Sequence, residues 1–199
     1  MKILKSLVSK INGVASVLAM TLGTSIRKIA GGADRKRWSN PDALAPDWDS
    51  RTQRLGALVK PGSAVLEFGA GRLTLVKYLP QGCTYTPSDL VDRGNGTIVF
   101  DLNGIDPMPV FSAQDVAVFS GVLEYVNDVP KLISELSNRL GVVVASYAVT
   151  DFNNGNRRRH GWVNDFSSTD VIRIFETAGF SCNHQEQWRS QVIYRFEKK

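Results

Sequence analysis

The sequence predicts an α/β domain, a doubly wound and mostly parallel seven-stranded sheet with helices on both faces and an antiparallel last strand. Three observations carry this. Short strand patterns alternate with helical ones from about residue 47 to residue 178, which is the order of a parallel sheet covered on both sides. A Gly-x-Gly turn, Gly69-Ala70-Gly71, directly follows the first strand pattern. The last two strand patterns have no helix between them and so form an antiparallel pair.

The elements follow in chain order. Residues 47–59 place Leu55, Leu58 and Val59 on one side and read as a helix. Pro61-Gly62 is a turn, 63–68 a strand, and 73–79 a helix closed by Pro80. Residues 83–86 and 97–100 are strands ending near Asp89 and Asp101, and 115–119 is a fourth. Residues 129–140 form an amphipathic helix. The run Gly141–Tyr147 is continuously apolar, the mark of a strand buried on both faces. Residues 169–178 are a helix stopped by Gly179, and 180–185 and 191–197 are the closing strands.

The chain has 199 residues, 43% of them hydrophobic and 22% charged. That composition excludes disordered and collagen-like proteins. Cys83 and Cys182 are too few and too far apart for a disulfide framework or a zinc knuckle, and fit a reducing compartment. The net charge of +5 is unevenly placed. Residues 1–37 carry eight bases and one acid, Asp34, whereas 38–199 carry 16 bases and 18 acids. The sequence therefore divides into a basic arm, 1–37, and a near-neutral body, 38–199.

Within the arm, Ile3, Leu4, Leu7, Val8, Ile11, Val14, Ala15, Leu18 and Leu22 recur at steps of three and four, with Lys5, Ser6, Ser9, Lys10 and Asn12 opposite. This is a basic amphipathic helix, suited to a membrane interface or to packing on its own domain. A secretory signal is the third reading. Peripheral membrane contact through residues 1–30 is carried forward, with a cytoplasmic location at the inner membrane face; nucleic acid is not the expected partner.

The chemistry is carried by the middle of the chain. Gly69 and Gly71 permit a tight turn and close backbone approach to a ligand. The following helix is expected to aim its free N–H groups at the same point. Glu67 stands two residues before the first glycine. Asp89 lies 18 positions after Gly71, where an acid can accept both hydroxyls of a ribose, and Asp101 ends the third strand, within reach of an adenine amino group.

The segments 65–71 (VLEFGAG), 84–89 (TYTPSD), 99–103 (VFDLN), 115–128 (DVAVFSGVLEYVND) and 160–180 (HGWVNDFSSTDVIRIFETAGF) resemble the class I S-adenosylmethionine-dependent methyltransferases. The pieces Trp48-Asp49-x-Arg51 and Gly121–Tyr125 are similar to small bacterial members. The resemblance implies a Rossmann-like fold, S-adenosylmethionine as cofactor, and in-line methyl transfer to a small-molecule or glycan acceptor. It implies that Glu67, Gly69 and Gly71 hold the methionine end, Asp89 the ribose and Asp101 adenine N6. Two departures stand out. Tyr125 occupies a position where many relatives have His, and only seven residues separate Asp89 from Thr97, too few for the usual helix.

Other residues carry two readings each. Glu124 faces the methionine end or is a surface helix-start acid. His160, on the loop after the fifth strand, is a general base for an acceptor hydroxyl or a loop histidine bonded to backbone. Arg157-Arg158-Arg159 read an anionic acceptor or form a solvated loop. His184 reads as structural, and Trp48, Tyr125 and Trp162 as core or lid aromatics. No His, Cys, Asp or Glu spacing suggests a metal. The alternatives are an NAD-dependent dehydrogenase, which would want a third glycine where Thr74 stands and a small residue in place of Glu67, and a cofactor-binding scaffold without catalysis.

Overall fold

The structure is a computed structural model. It describes residues 2–109, 114–153 and 155–199, with side chains from residue 13 onward. The side chains of Ile3, Leu4, Leu7, Val8 and Ile11 in the arm's apolar pattern, and of Lys2, Lys5, Ser6, Ser9, Lys10 and Asn12, thus lie outside the described residues.

The chain forms seven strands in one sheet: β1 (Ala64–Phe68), β2 (Thr84–Asp89), β3 (Ile98–Val99), β4 (Val116–Ser120), β5 (Val142–Tyr147), β6 (Phe180–Trp188) and β7 (Gln191–Lys198). Their order is β3-β2-β1-β4-β5-β7-β6. β7 pairs antiparallel with both β5 and β6, so the other six strands run parallel. The last strand, β7, is the antiparallel one, as expected; it inserts one place in and β6 forms the rim. The order reverses between β1 and β4, and the crevice outside the carboxyl ends of these strands is where such sheets bind ligands.

Alternation along the strands divides the core. Leu66, Phe68, Phe119 and Val143 pack on one face with Leu132, Ile133 and Leu136 of α4 (Val129–Ser137) and Phe175 of α5 (Ser168–Thr177). Val65, Val118 and Val144 pack on the other with Leu55 of α3 (Asp49–Ala57). The helix ends are set locally. The Asp128 carboxylate accepts from the Lys131 amide at the start of α4. Ser167 and Asp170 make a reciprocal capping box on α5. Gly179 follows α5 with φ +86°, as its sequence position predicts.

One predicted helix is corrected. Residues 73–79 hold only a short 3₁₀ turn, Leu75–Lys77, because Leu73 takes a left-handed φ of +56° and Pro80 follows closely. Among the described residues no α-helix directly follows the Gly69–Gly71 turn. The segment after Asp89 is a turn, in line with its seven-residue spacing.

The arm is α1 (Lys2–Ala30), then α2 (Arg35–Trp38), whose N-cap Asp34 accepts from the Arg37 amide. Its inner end is fastened to the body. Thr24, fully buried, donates from Oγ1 to the Arg158 carbonyl over 2.9 Å, and Asn156 Nδ2 donates to Thr21 Oγ1 over 3.0 Å.

Candidate active site

A cavity of about 390 Å³ opens at the carboxyl ends of β1, β2 and β4. Gly69, Gly71, Asp89, Asp101, Glu124 and His160 all line it. Glu67 does not; it lines a small adjoining pocket of about 50 Å³ with Trp48, Arg51, Thr52 and Gly69.

Gly69 has φ +68°, and a Cβ there would come 2.5 Å from Cγ2 of Val122. Only glycine fits both the dihedral and the approach. Gly71 also takes a positive φ, +54°, and its amide donates to Asp89 Oδ2 over 2.8 Å. The other oxygen of Asp89 accepts from the Val91 amide and from Arg93 Nη2 at 3.1 Å. Asp101 accepts from the Asn103 amide and faces Arg35 of the arm at 3.7 Å.

The two glutamates are buried differently. Glu67 accepts a 2.5 Å hydrogen bond from the Tyr85 hydroxyl. Burial raises its carboxyl to about 8, against the opposing effect of that hydrogen bond. Glu124 accepts from the Ala148 amide through Oε1, while its buried Oε2 has no hydrogen-bond partner among the described residues. Burial pushes this carboxyl up as well, opposed in part by its hydrogen bonds to backbone and by the charges of Arg51 and Arg157. Arg51 lies between the Trp48 and Trp188 rings and donates to the Ser120 hydroxyl and carbonyl and to Gln191.

His160 stands at the mouth. Its Nε2 accepts from Arg159 Nε over 3.0 Å, and its ring lies 4.7 Å from that of Trp162. Partial burial and the charges of Arg159, Arg37 and Arg157 lower its pKa, which favours the neutral imidazole.

The arginine run separates on inspection of its contacts. Arg157 is buried; it donates to the carbonyls of Asn164 and Asn153 and to the Tyr147 hydroxyl, and it pairs with Asp165. Arg158 donates to the Trp162 carbonyl and pairs with Asp165. None of Arg157–Arg159 lines the cavity. The first two build the loop, and the solvated-loop reading fits only the exposed Arg159.

Cavity cations come instead from the arm (Arg27, Arg37), α3 (Arg51), the loop after β2 (Arg93) and the β6–β7 turn (Arg189). Arg27 pairs with Asp34, Arg93 with Asp89 and Arg189 with Asp47, whereas Arg37 and Arg51 have no ion pair among the described residues. Arg37 donates to the His160 carbonyl over 2.7 Å and lies 4.5 Å from the Trp38 ring centre. Trp38 meets Tyr125 edge-on at 5.0 Å, and Arg93 donates to the Trp38 carbonyl over 2.5 Å. Asp34, three residues before Arg37, was the available cap signal for α2. Among the described residues no three or more His, Cys, Asp or Glu side chains gather as a metal site.

Residues 42–185 match the family model described as "Methyltransferase domain". A search of curated protein sequences finds no match. Solved structures do resemble the chain. One is a Burkholderia thailandensis 1,6-didemethyltoxoflavin N1-methyltransferase with bound 1,6-didemethyltoxoflavin and S-adenosylhomocysteine: 17% identity, TM-score 0.56, covering 94% of this chain and 90% of that one. Another is an S-adenosylmethionine-dependent methyltransferase from Mesorhizobium loti: 15% identity, TM-score 0.58, covering 73% and 96%. A third is an O-methyltransferase of neocarzinostatin biosynthesis in complex with S-adenosylmethionine and 2-hydroxy-5-methyl naphthoic acid: 16% identity, TM-score 0.61, covering 94% and 70%. At these identities the likeness concerns the fold.

Proposed function

The chain belongs to the methyltransferase-domain family, and from that premise we propose that it transfers a methyl group from S-adenosylmethionine to a small-molecule or glycan acceptor. The observation that carries this is the gathering of Gly69, Gly71, Asp89, Asp101 and Glu124 on one cavity wall at the strand ends. The cavity also fits the cofactor on its own terms. Glu124 Oε2 is a buried acceptor without a partner among the described residues, at the end of the cavity where Gly69 and Gly71 lie.

Asp89 takes the ribose and Asp101 the adenine amino group. Gly69 and Gly71 admit the methionine end, Glu124 accepts from its ammonium, and the Arg51 guanidinium holds its carboxylate. Glu67 acts from behind the glycine turn, through the electrostatics of the adjoining pocket. S-adenosylmethionine supplies a methyl group on a sulfonium and leaves as a thioether. The protein's share is to fix the line of approach and exclude water. For a hydroxyl acceptor, neutral His160 takes the proton through Nε2 after displacing Arg159; such help is worth about 10²–10⁴-fold. Arg37, without an ion pair, favours an acceptor that carries an anionic group. The arm, 1–37, adds peripheral membrane contact to the body, 38–199, at the cytoplasmic face.

Incubation with S-adenosylmethionine and a panel of small-molecule and glycan acceptors tests this reading. Acceptor-dependent formation of S-adenosylhomocysteine supports it. Binding of S-adenosylmethionine without turnover on any acceptor favours a non-catalytic scaffold.

A further inference from the structure

The arm docks by the face that amphipathicity would not select. At 3.6 residues per turn, Val14, Leu18, Leu22, Ile26 and Ile29 form one stripe along α1. Each is exposed, Leu22 to 63% and Ile29 to 88%. The roughly opposite side carries Thr24, which is fully buried, with half-buried Met20 and Arg27. Hydrogen bonds from Thr24 and Asn156 and the ion pair of Arg27 with Asp34 fix this polar side to the body and to the base of α2. The body thus holds the helix at residues 20–27, through Met20 and small and polar side chains, while every described residue from 13 to 19 is exposed.

In sequence the same apolar spacing continues through Ile3, Leu7 and Ile11. An exposed apolar stripe from Val14 to Ile29 marks an interaction surface. Charge decides its partner. Residues 1–33 contain Lys2, Lys5, Lys10 and Lys28, besides Arg27, which Asp34 pairs, and no acid. A second α1 packed on the stripe would bring bases against bases, with no carboxylate on either helix to offset them. Anionic lipid supplies both the apolar phase and the opposite charge. Among the described residues no helix is long and apolar enough to cross a membrane, so the geometry suits a helix lying in the interface.

The stripe ends at Ile29, three residues before Gly32, which lines the cavity together with Arg27, Asp34, Arg37 and Trp38 of the same segment. We infer that α1 lies in the interface of an anionic bilayer through its Val14–Ile29 face, and that its opposite face thereby holds the cavity mouth beside the lipid surface. This rests on the methyltransferase reading for what the cavity holds, though not for the docking itself.

The test uses the full chain and two vesicle preparations, phosphatidylglycerol with phosphatidylcholine, and phosphatidylcholine alone. The expected result is sedimentation with the anionic vesicles at low salt, weakening as salt rises, and little with the neutral ones. A Leu18→Glu, Leu22→Glu double variant should lose roughly a hundredfold or more in vesicle affinity. Its S-adenosylmethionine affinity and melting temperature should be unchanged, because both side chains are exposed. Absence of anionic-vesicle binding by the folded wild-type chain overturns the inference, and a dimer in ultracentrifugation would then name a second copy as the occupant. Equal, salt-insensitive binding to both vesicles overturns the charge argument. Vesicle binding by a chain that fails to bind S-adenosylmethionine would leave the docking standing and remove the functional reading instead.

Discussion

The Gly71 amide donates to Asp89 Oδ2 over 2.8 Å, tying the glycine turn after β1 to the end of β2. The carboxylate that serves the ribose is thus also part of the scaffold. Asp89→Asn keeps an acceptor for Gly71 but loses the charge facing Arg93 and the ligand. Charge-assisted bonds are worth about 1.5–3 kcal/mol, so the S-adenosylmethionine Kd should rise roughly tenfold to a hundredfold. Calorimetric titration measures it, alongside a lowered melting temperature from the broken pair. Unchanged affinity would reject the ribose role.

Glu67 should make stability depend on pH. Its carboxyl titrates near 8 in the folded chain against an ordinary value of 4.5. Between these values the folded state holds a proton that the unfolded state has lost. The contribution is therefore fully present below about 4.5 and is lost as pH rises toward about 8. Urea unfolding from pH 5 to 8 should show wild-type stability falling more steeply than that of Glu67→Gln. Parallel curves would mean that Glu67 is ionised throughout.

The arginine run should divide by position. Arg157→Gln removes a buried cation bonded to Asn164, Asn153 and Tyr147. It should cost at least about 1.5–3 kcal/mol of stability. Arg159→Gln, on an exposed residue, should stay within about 0.5 kcal/mol. Equal effects in denaturant melts would contradict the assignment of Arg157 to the loop's core.

Arg37→Gln tests the acceptor side. It removes a cavity cation that, like Arg51, has no ion pair among the described residues, and should raise the KM of an anionic acceptor roughly tenfold or more. S-adenosylmethionine affinity should hold within about twofold, since the proposed cofactor contacts lie elsewhere on the wall. Steady-state kinetics with the acceptor identified from the panel separates the two. A loss of cofactor affinity without a change in acceptor KM would place Arg37 with the cofactor.

The strands were legible because their signals are local. The Val142–Tyr147 run and the Gly69-Ala70-Gly71 turn mark a buried strand and a switch-point loop without reference to anything distant. Asp89 and Asp101 could be placed for the same reason, as strand-end acids. The helix expected over 73–79 is interrupted by Leu73's left-handed φ, which apolar spacing does not register. The arm's periodicity correctly grouped Val14, Leu18 and Leu22, but a period says which residues share a face and not which face is covered. That depends on Arg158 and Asn156, about 130 positions away. The same long-range dependence hid Arg157, whose partners Asn164 and Tyr147 decide its burial, and Arg37, whose place on the wall requires the arm to fold back over His160.

The central claim is that this cavity holds S-adenosylmethionine. Calorimetric titration of the full chain with S-adenosylmethionine and, separately, with NAD tests it most directly. The account predicts one S-adenosylmethionine per chain and no measurable heat from NAD, because Glu67 and Thr74 stand where a dinucleotide fold places small residues. Saturable binding of NAD, with none of S-adenosylmethionine, would contradict it.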